Sequence, residues 1–224
     1  FEVDSDGKTV EDTVYCRLFT DGRLTSAGVT HAADVEPETV LTNISITCNR
    51  VPITLTNGAS VRIANVDNGG GIRFESTVDT ELYKRMTAIN GVTVELGTII
   101  VPYDSVEEGK EINFENFTAD KNAVTAEKKL CVDIKQTKWQ DEANGIYTAA
   151  LINIKSGNYN RSFASRGYMR VIYENGDVEY YYSNFDASAN VRSIAFVAAK
   201  AIESGKYNDD ADALAILQAY AGQQ

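Results

Sequence analysis

Two β-type runs flank the dipeptide Asn175-Gly176 within residues 166–183, and this segment constrains the fold more than any other. Asn-Gly readily adopts the positive φ angles of a type I′ turn, so the segment predicts an antiparallel hairpin with a two-residue loop. In that register one face carries only apolar cross-strand pairs: Tyr173 with Val178, Val171 with Tyr180, and Met169 with Tyr182. The other face is mixed, with Ile172 opposite Glu179 and Arg170 opposite Tyr181. One face of the hairpin is therefore expected to pack against a hydrophobic core.

Shorter β-type runs, separated by turn residues, occupy much of the remaining chain. They span residues 14–20, 41–48, 51–55, 61–66, 72–74, 92–101, 130–134 and 146–154. The runs 51–55 and 61–66 are predicted to form a second hairpin, because a three-residue loop 56–58 places Ile53 opposite Val61 on one apolar face. Gly58 would then take the left-handed conformation that such a loop requires.

Apolar residues recur at helical spacing in three further segments. Residues 80–89 predict a mid-chain helix that stops before Gly91. A second helix follows Asn190, with Gly205 at its C-terminal cap and one apolar stripe, formed by Ile194, Val197, Ala198, Ala201 and Ile202. A last helix is predicted over residues 209–220, with Asp209 or Asp210 near its positive end.

The order of these elements does not follow regular βαβ alternation. The sequence instead predicts a mainly β (α+β) fold: an antiparallel β-sandwich with one mid-chain helix and one or two C-terminal helices packed on it. A chain of 224 residues has room for one large domain or one domain and a fraction. The glycine-rich run 65–71 is typical of a loop or linker. The predicted organisation is an N-terminal β-rich region over residues 1–66, a β-sandwich module with helices over 70–205, and a C-terminal helix over 206–224.

The net charge of −11 has the wrong sign for binding phosphate backbones or anionic lipid headgroups. Nucleic acid and membrane surfaces are therefore not expected as partners. The longest mixed apolar run, residues 194–202, is interrupted by Lys200 and is far shorter than the roughly 20 residues of a membrane span. No membrane span is predicted in this chain.

The sequence has few candidate metal ligands. The three cysteines, Cys16, Cys48 and Cys131, lack the spacing of a zinc site, and a Cys16–Cys48 disulfide competes with the alternative of small buried thiols. A calcium site is a weaker possibility at Asp4 and Asp6, because Asp4-Ser-Asp-Gly resembles the opening of a calcium loop. Its glycine comes too early and Lys8 replaces an acidic ligand, so a solvated acidic turn is the alternative. No other cofactor is predicted.

Catalytic residues are equally hard to assign. The only histidine, His31, lies in a turn-like stretch, and Ser165 lacks the first glycine of a nucleophile elbow. A glycosidase would need two carboxylates about 5 to 10 Å apart, but the 32 acidic residues offer no preferred pair. The sequence therefore nominates no catalytic residue, and an enzyme is the less favoured interpretation.

Five segments occur in an order that resembles a known type of module. They are Asn57-Gly-Ala-Ser-Val-Arg-Ile63, Gly71-Ile-Arg-Phe74, Gly97-Thr-Ile-Ile-Val-Pro102, Arg161-Ser-Phe-Ala-Ser-Arg-Gly-Tyr168 and Arg192-Ser-Ile-Ala195. Residues 57–204 thus look like an uncharacterised β-rich accessory module of secreted or cell-surface multidomain proteins of Gram-positive gut bacteria. The resemblance implies a secreted or cell-surface location and a noncatalytic role beside immunoglobulin-like, dockerin or glycoside hydrolase domains. It supplies no site residue.

These observations favour a noncatalytic extracellular module that serves as a spacer, adhesion or protein-contact domain, with a protein or glycan at the cell surface as its partner. The alternative is a carbohydrate-binding module that uses an exposed Trp139 and some of the twelve tyrosines. Trp139 lies in a polar stretch, where it could contact a ligand or anchor the edge of the core. Tyr181 beside Arg170 is a second candidate binding pair.

Overall fold

Two antiparallel sheets form the framework of the computed structural model, which describes residues 52–64 and 69–222. The strands of the first sheet are β1 (Ile53–Leu55), β2 (Ser60–Arg62), β3 (Gly71–Val78), β8 (Trp139–Asp141) and β9 (Ile146–Ile152). Those of the second sheet are β4 (Thr93–Pro102), β7 (Val132–Lys135), β10 (Phe163–Ile172), β11 (Val178–Tyr182) and β12 (Val191–Arg192). Two short strands, β5 (Phe117–Thr118) and β6 (Lys129–Leu130), pair in parallel beside them.

Each sheet has a simple strand order. In the first sheet β3 lies between β9 and the two short strands β1 and β2, and β8 extends the other edge of β9. In the second sheet the order is β11-β10-β4-β7, with β12 also paired to β10. The described part of the chain also has four α-helices: α1 (Thr80–Thr87), α2 (Ala187–Asn190), α3 (Ile194–Glu203) and α4 (Ala211–Ala221). The predicted mainly β sandwich with a mid-chain helix and C-terminal helices is confirmed.

The inner faces of the two sheets meet in two apolar clusters. One cluster is closed by the C-terminal helices, because Ile194 of α3 and Leu217 of α4 pack with Phe74 and Ile100. The other contains Ile53, Val78, Leu96, Tyr147, Met169 and Val171, with α1 packed beside it. A third cluster lies on the outer face of the second sheet and is covered by residues of the 103–131 excursion, among them Ile112 and Phe117. Burial of these side chains is the main stabilising term of the fold.

The predicted register of the 166–183 hairpin is wrong by one residue. β10 pairs with β11 so that Arg170 lies opposite Tyr180 and Met169 opposite Tyr181. The loop has three residues instead of two, since the Tyr173 N–H donates to the Asp177 carbonyl over 2.9 Å. Gly176 has a φ of 88°, while among the described non-glycine residues only Asn153 has a positive φ. A type I turn followed by a left-handed glycine therefore replaces the type I′ turn.

This shift moves tyrosines between the faces of the sheet. Met169 and Val171 are fully buried in the inter-sheet core, as predicted. Tyr180 lies on the opposite face of the sheet from Met169, together with Arg170, so its predicted place in the core is wrong.

The predicted hairpin between residues 51–55 and 61–66 is also wrong. β1 and β2 do not pair with each other; both pair with β3, with Ile53 opposite Val78 and Val61 opposite Ile72. β3 is eight residues long and can pair with both short strands along one edge, whereas β1 and β2 have only three residues each. The intervening loop is held by a 2.8 Å hydrogen bond from the Gly58 N–H to the Ala189 carbonyl, and the predicted positive φ of Gly58 is confirmed at 87°.

The helix ends follow capping rules. Asp79 caps α1, Ser193 caps α3 and Asp210 caps α4, each with a side-chain oxygen that accepts from backbone N–H groups of the first turn. Gly205, with a φ of 69°, follows the C-cap of α3 as predicted. The predicted helices therefore exist: α1 begins at the predicted residue 80, and the other helix ends lie within a few residues of those expected.

The described residues belong to one compact unit, in which β1 and β2 join the sheet of β3, and α4 packs on α3. The predicted boundary near residue 66 lies outside the described residues. So do the β-type runs 14–20 and 41–48, the Cys16–Cys48 pair, His31, and the calcium candidates Asp4 and Asp6. Across residues 52–64 and 69–222, no helix combines the length and apolar character needed to cross a membrane.

Candidate ligand-binding groove

Trp139, the first sequence candidate, is half-buried at the edge of the core. It begins β8 and contacts two tyrosines edge to face, with ring centroids 5.7 Å from Tyr83 and 6.2 Å from Tyr147. Such T-shaped contacts are favoured by the aromatic quadrupole and hold the indole in place. The expectation of an exposed tryptophan is therefore wrong. Most of the Trp139 side chain packs at the edge of the core, as the alternative interpretation predicted. The rest of the side chain lines a groove.

This groove, called the Trp139 groove below, has a volume of about 440 Å³. Its floor and walls come from β2, β3, β7, β8 and β9 and from the β7–β8 connection. The lining residues are Arg62, Arg73, Ile134, Lys135, Thr137, Lys138, Trp139, Gln140, Thr148 and Ala150. Four of them are cationic, in a chain whose net charge is −11.

Strand pairing explains why these residues meet. On the outer face of the first sheet, Arg73 lies directly opposite Ala150 of β9 and Ser60 of β2. β8 pairs with β9 only at Tyr147 and Ile146. Among the described strands, none therefore pairs with residues 148–152 on the edge of β9 that faces away from β3. The β7–β8 connection forms one wall of the groove beside this edge.

The charged lining of the groove is entirely positive within the part of the chain that the structure describes, because no aspartate or glutamate there lines it. Lys135 is paired with Glu95 of β4, whose Oε2 lies 3.0 Å from the lysine Nζ. Arg73 and Lys138 form no ion pair with any residue of 52–64 or 69–222. Arg73 and Lys138 thus face the groove without an ion-pair partner among the described residues.

The second sequence candidate, the pair Arg170 and Tyr181, is not brought together. Tyr181 shares a face with Met169, and its hydroxyl donates to Glu179 over 2.9 Å; burial, followed by this carboxylate, raises the tyrosine pKa. Arg170 instead lies 5.9 Å from the ring centroid of Tyr180 and donates to Glu95 over 2.9 Å. Tyr181 and Arg170 therefore do not form a shared binding surface.

The face that carries Arg170 is densely bonded. Tyr180 and Tyr182 stack with an interplanar angle of 10°, and the Tyr168 hydroxyl donates to Asp133 over 2.8 Å. The Phe114 ring contacts Tyr168 edge to face, with the centroids 5.1 Å apart. The Tyr182 hydroxyl accepts from the Phe114 N–H over 3.1 Å, so the rings and two of the three hydroxyls are engaged, which indicates a structural role for this face.

A wider and more open depression of about 780 Å³ lies between residues 89–92 and the β10–β11 loop. Two of its three carboxylates are already engaged: Glu179 accepts from the hydroxyls of Tyr173 and Tyr181, and Asp177 accepts from Asn175. The third, Glu174, forms no hydrogen bond or ion pair with a described residue. Among the described residues, no three histidine, cysteine, aspartate or glutamate side chains are grouped so that they could hold a metal ion. With one free carboxylate and no cation among its described lining residues, this depression offers fewer unpartnered polar groups than the Trp139 groove.

Ser165, the serine considered from the sequence, and Cys131 are both buried. Ser165 is fully buried in β10, and its hydroxyl has no hydrogen-bond partner among the described residues. Burial raises the pKa of the Cys131 thiol to about 11, with a further contribution from Asp133, so the thiol is protonated at neutral pH. Neither residue is placed to attack a substrate.

Sequence reasoning found Trp139 but missed the cations around it. Arg62, Arg73 and Lys138 are far apart in the chain and look like ordinary outward-facing residues of a half-buried sheet. The alternation of apolar and polar residues along β3 could have indicated one of them, because it places Arg73 on the polar face between the buried Ile72 and Phe74.

Comparison with family models gives no match, and comparisons with curated proteins and with solved structures give none at a significant level. The resemblance to accessory modules of Gram-positive gut bacteria therefore stays a prediction.

Proposed function

We propose that the chain is a noncatalytic module of an exported bacterial protein and that it contacts a partner at the cell surface through the Trp139 groove. One observation carries this proposal: the groove gathers hydrogen-bond donors that have no partner within the described protein. These are the side chains of Arg73, Thr137, Lys138 and Thr148. Unpartnered donors around an open groove are available to a ligand.

The position of the groove supports a contact role. It lies on the outer face of the first sheet, and the inner face of that sheet is occupied by the core. Ligand binding on that face would require little rearrangement of the sheet, because most of the lining side chains are carried by paired strands, while Thr137 and Lys138 come from the β7–β8 connection. The burial of Ser165 and Cys131 agrees with a binding role for this surface.

The residues that line the groove favour a glycan as the partner, and hence a binding role over that of a purely structural spacer. Trp139 supplies an aromatic surface, and Gln140, Thr137 and Thr148 supply neutral polar groups for sugar hydroxyls. This observation favours the carbohydrate-binding alternative within the broader contact role.

Titration with a panel of neutral and acidic polysaccharides and bacterial cell-wall fragments tests the proposal. Trp139 is the only tryptophan of the chain, so its fluorescence reports directly on the groove. We expect a saturable change with at least one ligand. Ala150→Phe, which fills the groove without changing charge, should abolish that change.

Thr77→Phe is the matched control, because Thr77 lies on the same outer face, opposite Ile146, but outside the groove. It should bind like the unmodified chain. If no ligand changes the Trp139 fluorescence, or if Ala150→Phe and Thr77→Phe bind the ligand equally well, the groove is not the contact site. Either result would favour the spacer interpretation.

A further inference from the structure

We propose that the Trp139 groove is a site for an anionic polysaccharide, in which a sugar-borne carboxylate or sulfate is held by Arg73 and Lys138. This inference rests on the proposed function, which it narrows to a class of ligand. It depends on three features of the groove: the sign of its charges, their lack of protein partners, and the mixture of cations with neutral polar groups.

The charges of the groove run against those of the chain as a whole. The protein has 32 acidic residues, yet the described residues that line the groove include four cations and no carboxylate. Lys135 is already held by Glu95, whereas Arg73 and Lys138 form no ion pair with any described residue. The Glu75 carboxylate borders the groove, 3.4 Å from the Gln140 amide, but it does not line it. An anionic group would restore the balance, and a guanidinium can bind a carboxylate or sulfate through two parallel hydrogen bonds.

The uncharged residues that line the groove suit the hydroxyl groups and the ring of a sugar. Thr137 and Thr148 contribute hydroxyls that have no hydrogen-bond partner in the described protein. The Gln140 amide forms only one long contact, 3.4 Å to Glu75. Beside them lies the exposed part of the Trp139 ring. A sugar ring offers both the hydroxyls and the apolar C–H surface that such a lining would contact.

Dense polyanions fit this surface less well. A nucleic acid duplex carries a negative charge about every 1.7 Å, so a protein of net charge −11 repels it strongly outside the groove. A polysaccharide with at most one or two charges per sugar suffers less of this repulsion. A bound peptide strand would instead require apolar pockets for alternate side chains. The aliphatic lining of the groove is limited to Ile134, Ala150 and the stems of the basic residues.

The experiment uses two charged and uncharged pairs of probes: polygalacturonate with its methyl ester, and dextran sulfate with dextran. Binding is followed by Trp139 fluorescence at low and moderate salt. We expect at least one anionic probe to bind saturably and its uncharged counterpart to bind at least about tenfold more weakly, since charge-assisted hydrogen bonds are lost. Comparison of the two anionic probes identifies carboxylate or sulfate as the preferred group.

Variants assign the charges. Arg73→Gln and Lys138→Gln should each weaken binding of the anionic probe by about tenfold, and each should reduce the slope of log K against log salt by about 1. Arg73→Lys should recover part of the affinity because it retains the charge. Lys84→Gln is the matched control, since Lys84 is exposed on α1 outside the groove, and it should bind like the unmodified chain.

Four outcomes would overturn the inference: neither anionic probe binds; the uncharged probes bind equally well; the Arg73 and Lys138 variants are unaffected; or poly-L-glutamate binds as tightly as the polysaccharides. If a neutral glycan binds and Ala150→Phe abolishes that binding, the proposed function stands and only the anionic assignment fails. If no probe or panel member changes the Trp139 signal, both fail.

Discussion

The hydroxyl of Tyr147 donates a 2.8 Å hydrogen bond to the carbonyl of Gly97 and so joins the two sheets through the middle of the core. Tyr147 belongs to β9 of the first sheet and Gly97 to β4 of the second. The ring is fully buried and also supports Trp139, so this bond connects the inter-sheet core to the groove.

Loss of this bond should destabilise the fold. Tyr147→Phe keeps the ring but leaves the bond to the buried carbonyl unmade, and we expect the free energy of unfolding to fall by about 1 to 2 kcal/mol. Tyr83→Phe is the matched control, because no hydrogen bond from the Tyr83 hydroxyl is present among the described residues. Urea unfolding followed by circular dichroism measures both. Equal stability of the two variants would show that the cross-sheet bond contributes nothing.

Gly97 also leaves room for another tyrosine on the outer face of its sheet. A Cβ at this position would overlap the Tyr168 ring carbon Cζ. Gly97→Ala should therefore displace the ring, strain its hydrogen bond to Asp133 and lower the free energy of unfolding by about 1 to 3 kcal/mol. Gly157→Ala, where a Cβ would meet no atom within 4 Å, should change stability little or raise it slightly. Thermal or urea unfolding distinguishes the two, and an unchanged Gly97→Ala midpoint would contradict the close packing.

Sequence reasoning recovered the elements of the fold better than their pairing. Alternation and helical spacing located β4, β9, β10 and the helices, because burial of one face is a local property of a strand or helix. The register of the β10–β11 hairpin depended on the φ angle of Asn175, since loops of two and three residues differ by a small conformational energy and both tolerate Asn-Gly. A wrong choice there moved Tyr180 to the other face of the sheet.

The candidate site was only partly predictable for a related reason. Trp139 stands out in composition, but its burial depends on Tyr83 and Tyr147, which reach it from α1 and β9. The cations Arg73 and Lys138 become neighbours only through the pairing of β3 with β9 and the short length of β8. Pairing between distant strands is decided by the packed sandwich as a whole, which a local pattern does not encode.

The observed hairpin register can be tested with double-mutant cycles. Arg170 and Tyr180 lie on one face, with the guanidinium carbon 5.9 Å from the ring centroid, so the pair Arg170→Gln and Tyr180→Leu should show a coupling energy of about 0.5 to 1 kcal/mol. The pair Arg170→Gln and Tyr181→Leu should show almost none, because Tyr181 lies on the opposite face. The free energies of unfolding of the single and double variants give both values. A larger coupling energy between Arg170 and Tyr181 would contradict the observed register and support the two-residue loop predicted from the sequence.

The pH dependence of stability should contain a contribution from Glu95. Hydrogen bonds from Lys135 and then Arg170 lower its pKa below the ordinary value of 4.5, against a smaller opposing effect of burial. A carboxyl group with a lowered folded-state pKa stabilises the fold at pH values above 4.5, and this contribution is lost as the pH falls through the folded-state pKa.

Glu95→Gln should therefore cost about 0.5 to 1 kcal/mol at pH 7, a modest value because the carboxylate is partly exposed. The difference from the unmodified chain should shrink as the pH is lowered from 5 toward 2, since both proteins then carry a neutral side chain at this position. Urea unfolding at pH 7, 5, 4 and 3 measures this trend, with Glu108→Gln as an exposed control. A difference that stays constant over this range would show that the Glu95 side chain stabilises the fold through contacts that do not require its charge.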